Sequence, residues 1–434
     1  MKTLDRPGVR LGISAFILFT GWAGDAWRNL IGWYGFGAVV LLVVAGGIAL
    51  TVHNRHRFNL NTLPIPLIGF LALATLSIAW SYYRLPSLLG VTLTWMTTVA
   101  AFGVAVTLSW AELVRVLGWV FRAILGLSYV FELIVSIFFR HPIFPVWLVP
   151  DDPQHPAKLL YWSRNLLFDG GKIQGIVGNS SLLAMVALVA LIVFFIQLAS
   201  RSVTRVGGGF WLLVALGTIA ITRSATIFIA LAVVIVVALA VLIVRRAATP
   251  RAGFLARLGI FVVVVGGLIT AIVLRVPLLG MLGKSADFTG RIGIWDAVIG
   301  LAQQRPAFGW GWISYWVPWA APFDHLVVRG GVQVLHAHNA WLDVWLQLGI
   351  LGLVVFGALV LSTLVRSWQR ATDLDAITTI GGGRFTWISL LPLLVLAAQL
   401  VQSLAESRIL IEGGLMLLVI WAVKTKTRDI PTPS

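Results

Sequence analysis

Long apolar stretches separated by short polar interruptions run through the whole chain, with no sustained period-two alternation. Residues 39–52, 88–108, 227–244, 259–274 and 346–364 are nearly free of charge. With their flanks they reach the roughly 20 residues that a helix needs to cross a bilayer core. The pattern predicts about twelve spans by the hydropathy criterion, near 9–26, 30–52, 64–80, 86–108, 113–138, 178–199, 208–222, 224–244, 257–279, 338–364, 386–403 and 408–424. An outer-membrane barrel would need alternating strands, which the pattern lacks. The expected fold class is an all-α polytopic membrane protein, a single transmembrane domain over residues 1–434.

Two connections are long. The first, 139–177, holds Pro142, Pro145, Pro150, Pro153 and Pro156 and so predicts an irregular path. The second, 280–337, is the largest piece outside the spans. Within it Thr289 is placed to cap a helix from Arg291 to about Gln304, ended by Pro306. Ile294, Val298 and Leu301 fall on one face of that helix, which predicts a helix lying at the membrane surface. No connection on the basic side approaches the size of a nucleotide-binding domain, and there is no repeat of fixed period and no low-complexity segment.

Composition sharpens the class. With 59% hydrophobic residues, 11% charged and a mean hydropathy of +0.95, the apolar surface is too large for a soluble domain to hide. There is no cysteine, so neither disulfides nor thiolate metal ligation are available. The first apolar stretch, 11–23, has no Ala-x-Ala site and is expected to be an uncleaved helix. The formal charge of +16 is scattered between spans rather than gathered in a basic domain, which argues for a topology signal and against nucleic acid. Lys2, Arg6, Arg10, Arg55, Arg57, Arg201, Arg205, Arg245, Arg246, Arg251, Arg366, Arg370, Lys424, Lys426 and Arg428 mark one set of connections; the alternate set, including 24–29 and 81–85, is sparsely basic. Both termini are therefore expected to be cytoplasmic, with 139–177 and 280–337 outside.

Against that topology a few polar residues stand out. Arg223, in Ile221-Thr222-Arg223-Ser224-Ala225, sits on the outer side against the positive-inside trend, although an arginine at a membrane boundary commonly snorkels or ends a helix. Arg291 opens the surface helix and alone could be a solvated charge. Two outward arginines together suit a diphosphate, since guanidinium binds phosphate oxygens bidentately and keeps its charge. His336-Ala337-His338-Asn339 begins the next span. These could be interfacial histidines at a helix start, or metal ligands, for which only Asp324 and His325 lie near in sequence. A general base or orienting group for a hydroxyl nucleophile is the better functional reading.

Asn339 and Asp343 share a helix face, which places Asp343 beside the same cavity. Glu132 and Asp343 lie within spans and must be paired or face a cavity. Glu406 and Arg408, on the last outer turn, could face it too. Trp310, Trp312, Trp316 and Trp319 read either as interface anchors or as platforms for sugar rings. Asp373-Leu374-Asp375 reads as a solvated turn.

Several of these segments together carry a resemblance. They are Thr289-Gly290-Arg291-Ile292-Gly293-Ile294-Trp295, Arg305-Pro306-Ala307-Phe308-Gly309-Trp310-Gly311, His336-Ala337-His338-Asn339-Ala340-Trp341-Leu342-Asp343 and Leu348-Gly349-Ile350-Leu351-Gly352. Weaker echoes are Leu76-Ser77-Ile78-Ala79-Trp80-Ser81, Gly178-Asn179-Ser180-Ser181 and Thr222-Arg223-Ser224. In their order the chain resembles the O-antigen ligase and polymerase superfamily, which includes O-antigen ligases, Wzy-type polymerases and exopolysaccharide polymerases. It departs from the pattern at Ser180-Ser181, where many members carry asparagine, and at Thr222, where serine usually precedes the arginine.

The resemblance implies a GT-C-like, metal-independent, inverting glycosyltransferase without cofactor in the bacterial cytoplasmic membrane. The implied donor is an undecaprenyl-diphosphate-linked glycan and the acceptor a glycan or lipid-glycan, among membrane lipids and without nucleic acid. It makes Arg223 and Arg291 diphosphate ligands and His338 the residue at the acceptor hydroxyl, with His336, Asn339, Asp343 and Trp310 around the substrate. Ligase and polymerase stay open, since both break the same bond. The competing readings are a twelve-span transporter or flippase, which should show repeat halves and broken spans, a relative of the SEDS peptidoglycan polymerases, and a structural scaffold.

Overall fold

A computed structural model of the chain describes residues 2–57, 63–150, 152, 155–247, 249, 251–259, 291–324, 326–329, 331–372 and 386–426. Most of the predicted span 257–279, the capping Thr289, His325 and Asp373-Leu374-Asp375 lie outside the described residues.

The apolar stretches form helices: α1 (Pro7–Trp22), α2 (Gly24–His53), α3 (Ile65–Leu76), α4 (Arg84–Thr107), α5 (Trp110–Ile134), α6 (Ser180–Ala199), α7 (Arg205–Thr222), α8 (Ala225–Arg245), α9 (Arg291–Ala302), α10 (Ala340–Thr372), α11 (Leu391–Ser403) and α12 (Glu412–Lys424). Among the described residues seven are long and apolar enough to cross a membrane: α2, α4, α5 with its π-helical continuation to Phe139, α6, α7, α8 and α10. Helices α1, α3, α11 and α12 fall on predicted spans but are shorter, because 3-10 turns such as Ser77–Ala79 and Trp387–Leu390 replace part of the α-helix. Local chemistry sets several starts. Ser109 and Glu112 form a reciprocal capping box at α5, Asn179 caps α6 through two backbone N–H groups, and Thr204 caps α7. Large apolar side chains such as Leu42, Leu213 and Leu361 stay more than half exposed, a surface that hydrocarbon covers.

Side-chain contacts sort the helix ends into two groups. At one end Arg10 pairs with Glu112, Asn54 donates to Thr107, Lys424 donates to the Leu108 carbonyl, Arg366 to Thr425, and Arg245 to Ser389 and to the Ala371 carbonyl. The starts of α1, α5 and α11 therefore meet the ends of α2, α4, α8, α10 and α12 at a basic end. The opposite end gathers the turn between α1 and α2, the start of α6, the start of α10 and the segment from α11 to α12. Helix α8 packs along α11 with Arg245 beside Ser389, so Arg223, just before α8, lies at the same end as the residues after α11.

Two long helices are broken, each at a glycine of positive φ: α2 at Gly32 (φ 72°) and α10 at Gly349 (φ 67°). A break frees backbone groups that apolar surroundings cannot satisfy. At Gly349 the segment 306–311 supplies the partners. Ile350 N–H donates to Pro306 and Leu351 N–H to Ala307, while the Leu346 and Gln347 carbonyls accept from Trp310 and Gly311 at 3.0 and 2.9 Å. The two backbones pass so closely that a Cβ on Gly349 would lie 2.2 Å from the Ala307 carbonyl, and one on Gly309 2.5 Å from Gln347. Ser77, Trp80 and Tyr82 close the other side of the segment: Ser77 Oγ accepts from the Trp312 N–H, Trp80 Nε1 donates to the Phe308 carbonyl, and Tyr82 N–H donates to the Trp310 carbonyl. At Gly32 the first long connection does the same work, with Val146 N–H donating to the Asn29 carbonyl.

That connection is anchored by Glu132, which is buried and accepts from Ser163 Oγ and from the N–H groups of Gln174 and Gly175 at 2.8–2.9 Å. In the second, a short antiparallel pair joins β1 (Val328–Arg329) to β2 (Val332–Gln333). Helix α9 corrects one expectation. Ile294, Val298 and Leu301 do share a buried face, but they pack on Tyr83, Trp310, Ile313, Trp316 and Leu346 within the protein. The apolar face is satisfied by protein rather than by lying on the membrane.

Candidate functional site

The sequence places His336 and His338 at the mouth of α10, Arg291 at the start of α9 and Glu406 in the turn after α11. Folding brings these four side chains together around one carboxylate. Glu406 accepts from Arg291 Nη2 at 2.9 Å through Oε1, and its Oε2 lies 2.9 Å from His338 Nδ1 and 4.0 Å from His336 Nε2. The two imidazoles pack at 4.0 Å between centroids, and His336 Nδ1 accepts from the His338 backbone N–H at 3.1 Å. His338 adopts a left-handed backbone conformation (φ 48°), one that L-residues hold only when surroundings over-determine it.

The electrostatics follow from burial and neighbours. Burial alone would raise the Glu406 carboxyl, but the His338 hydrogen bond, the two imidazoles and Arg291 outweigh it and hold the group near a pKa of about 2. Glu406 is therefore an anion that can only accept, which makes His338 Nδ1 the donor; in the neutral imidazole the lone pair then lies on Nε2. His336 is pushed the other way, down to about 3, by burial first and then by His338, Arg408 and Arg291. It is a neutral imidazole at physiological pH.

A second charged group adjoins the first. Tyr315 packs edge-on to His336 at 5.7 Å, and the Arg408 guanidinium sits 5.9 Å from the Tyr315 ring. Arg408 pairs with Glu412 at 2.7 Å and approaches Asp25 at 3.9 Å, and Asp25 also pairs with Arg28. The sequence pattern named Arg408 but missed Asp25, Arg28, Tyr315 and Glu412. Asp25 and Arg28 are charges at the start of a long apolar helix, and that is the signal available for them.

Other expected site residues have different work. Asp343 does not line the cluster: it is fully buried, and its carboxylate accepts from Trp316 Nε1, Ala337 N–H and Ser407 Oγ, which pins the histidine segment to the turn after α11. Asn339 caps α10, with Oδ1 accepting from Trp341 and Leu342 N–H, and its amide reaches the Leu404 carbonyl. Trp310 is buried beneath Arg305, 4.6 Å away over its ring, and donates to the Leu301 carbonyl, so it belongs to the packing under α9. Trp312 and Trp316 are likewise core residues, whereas Trp319 is exposed. Arg223 stands exposed at the left-handed turn between α7 and α8 (φ 49°), and no contact among the described residues joins it to Glu406.

His336, His338 and Glu406 offer ligand atoms within 4.8 Å of one another, a spacing a divalent cation could use. The third ligand, Glu406, comes from far along the chain, on the turn after α11. Yet Glu406 already carries the Arg291 guanidinium, and Arg408 stands close enough to depress His336. A divalent cation there would have to compete with both guanidiniums.

Residues 210–357 match the family model described as O-Antigen ligase, Wzy_C. Over 101 residues the chain is 26% identical to the exopolysaccharide production protein ExoQ of Rhizobium meliloti (strain 1021). That alignment covers 23% of this chain and 23% of the relative, so the chain matches under a quarter of the relative's length. Both findings bear out the resemblance to the O-antigen ligase and polymerase superfamily. The matched range contains Arg223, Arg291, His336 and His338, and it stops short of Glu406 and Arg408.

Proposed function

We propose that the chain is a membrane glycosyltransferase of the O-antigen ligase type, which moves a glycan from an undecaprenyl-diphosphate carrier to an acceptor hydroxyl on the outer face of the bacterial cytoplasmic membrane. One observation carries this reading: Glu406 holds Arg291 and His338 through its two separate oxygens, so an anion-binding group and a base share one rigid support. The ionised Glu406 fixes the His338 tautomer, and Nε2 takes the proton from the acceptor hydroxyl as that oxygen attacks the anomeric carbon. The bond from the anomeric carbon to the phosphate oxygen breaks, and the electron pair leaves with the lipid diphosphate. Arg291 spends one Nη2 contact on Glu406, and its remaining N–H donors serve the charge developing on the leaving oxygen. Arg223, at the same end of the bundle, supplies a second guanidinium to the diphosphate.

The acceptor separates ligase from polymerase. The name of the relative, an exopolysaccharide production protein, favours a polymerase as the second reading, in which the attacking hydroxyl belongs to another glycan. The broken α2 and α10 are a feature of transporters as well. Here, however, backbone from the long connections packs into both breaks and takes up freed groups, Asn29 O at the first and Leu346 O, Gln347 O, Ile350 N–H and Leu351 N–H at the second.

The test is purified protein with a lipid-diphosphate glycan and candidate acceptors. The wild type should release lipid diphosphate and form a glycosylated acceptor without added metal. Arg291→Ala and His338→Ala should each lose transfer by at least about 100-fold, the scale of a positioned base, with expression intact. Full activity in both variants would sink the reading, and lipid-glycan translocation without release of lipid diphosphate would transfer it to a flippase.

A further inference from the structure

At the basic end a cavity of about 300 Å³ opens between the first turns of α5, the end of α6 and the segment leading into α11. Its walls include Arg115, Trp119 and Arg122 from α5, Gln197 and Ser202 beyond them, and Ile388. The α5 residues recur at helical spacing and share one face. Seven residues separate the two arginines, so Arg122 lies about 10 Å further along the helix than Arg115. Among the described residues no carboxylate lines the cavity. Glu112, the acidic residue nearest in sequence, is turned to Arg10 at 2.6 Å.

Arg122 is half-buried here with only neutral partners among the described residues. Its Nη2 donates to Gln197 Oε1 at 2.6 Å, and its guanidinium lies 4.8 Å from the Phe194 ring. Gln197 is held in turn by donating to the Val114 carbonyl at 3.0 Å. Gly118 makes room for the pair, since a Cβ there would sit 2.2 Å from Gln197 Nε2. A cation drawn this far from water without a counter-ion is costly, and an anion in the cavity removes that cost. Trp119, 46% exposed, stands at the rim as an interfacial aromatic.

We propose that this cavity binds the phosphodiester headgroup of an anionic phospholipid, at the end of the bundle opposite the histidine cluster. Two guanidiniums in a recess between spans provide the phosphate contacts. The apolar walls and the rim tryptophan suit the glycerol and upper acyl chains, which free phosphate lacks.

The experiment uses the purified full-length protein in phosphatidylcholine nanodiscs with and without phosphatidylglycerol, and counts retained phospholipid by native mass spectrometry after detergent exchange. Wild type should retain phosphatidylglycerol. Arg115→Gln and Arg122→Gln should each weaken retention about fivefold, the factor that corresponds to ~1 kcal/mol per basic residue near an anionic surface. Arg55→Gln, an equal loss of charge on an exposed residue outside the cavity, should match wild type. Should Arg122→Gln fail to fold, Arg115→Gln carries the test, because Arg115 is exposed. Equal retention by all variants overturns the site. Displacement of the retained lipid by inorganic phosphate alone overturns the lipid assignment in favour of a free anion.

Discussion

Glu406 accepts from Arg291 through one oxygen and from His338 through the other, so an amide in its place can keep at most one of these contacts. Glu406→Gln should leave the protein folded and lower transfer by about 100- to 1,000-fold, read as released lipid diphosphate; near-normal turnover would mean that His338 needs no anionic support. Acid should destabilise the same cluster. The unfolded chain protonates His336 as pH falls through 6.5, whereas the folded protein resists until about 3. Stability from this group is therefore complete above pH 6.5 and is lost progressively below it. Glu406 adds the same sign between 4.5 and about 2, because its folded carboxylate is the favoured form. Tm measured from about pH 8 to about pH 5 should fall in wild type and fall less in His336→Asn, since the asparagine oxygen can still accept from the His338 N–H. Identical slopes would remove His336 as the titrating group. Chelation should leave activity unchanged, and loss of activity on chelation would assign His336, His338 and Glu406 to a metal.

At the scale of elements, the clasp between 306–311 and the broken α10 carries the geometry of the site, because the histidines immediately precede α10 and its first segment ends at Gly349. Gly349→Ala puts a Cβ into the Ala307 backbone at a residue of φ 67°. It should cost at least about 2 kcal/mol, together with a fall in transfer. Gly357→Ala, in the same helix and with open space around it, should change stability by less than about 1 kcal/mol. Thermal unfolding of the two variants side by side checks this, and equal Tm values would mean that the clasp does not hold α10. Asp343→Ala should be destabilising by about 2–4 kcal/mol, since three buried donors lose their acceptor.

Over the whole molecule, hydropathy identified the class and placed Arg291, His336 and His338 on one side of the bundle, and Ile294, Val298 and Leu301 on one helix face. It did not reveal which polar residues serve packing. Asp343, Asn339 and Trp310 carry the same signal as a ligand-facing residue until their hydrogen-bond partners are known, and those partners lie in distant segments. Nor did it reveal the breaks at Gly32 and Gly349, because glycine inside an apolar span leaves the hydropathy unchanged while its backbone turns away. Glu406 was visible only as a charge on the last outer turn; its place as the junction of Arg291 and His338 is a product of the tertiary fold. The most direct test of that junction is a double-mutant cycle on the purified protein, measuring lipid diphosphate release for wild type, His338→Ala, Glu406→Gln and the double variant. If His338 and Glu406 act as one unit, the double variant should be no slower than His338→Ala alone. Losses that multiply would contradict the account.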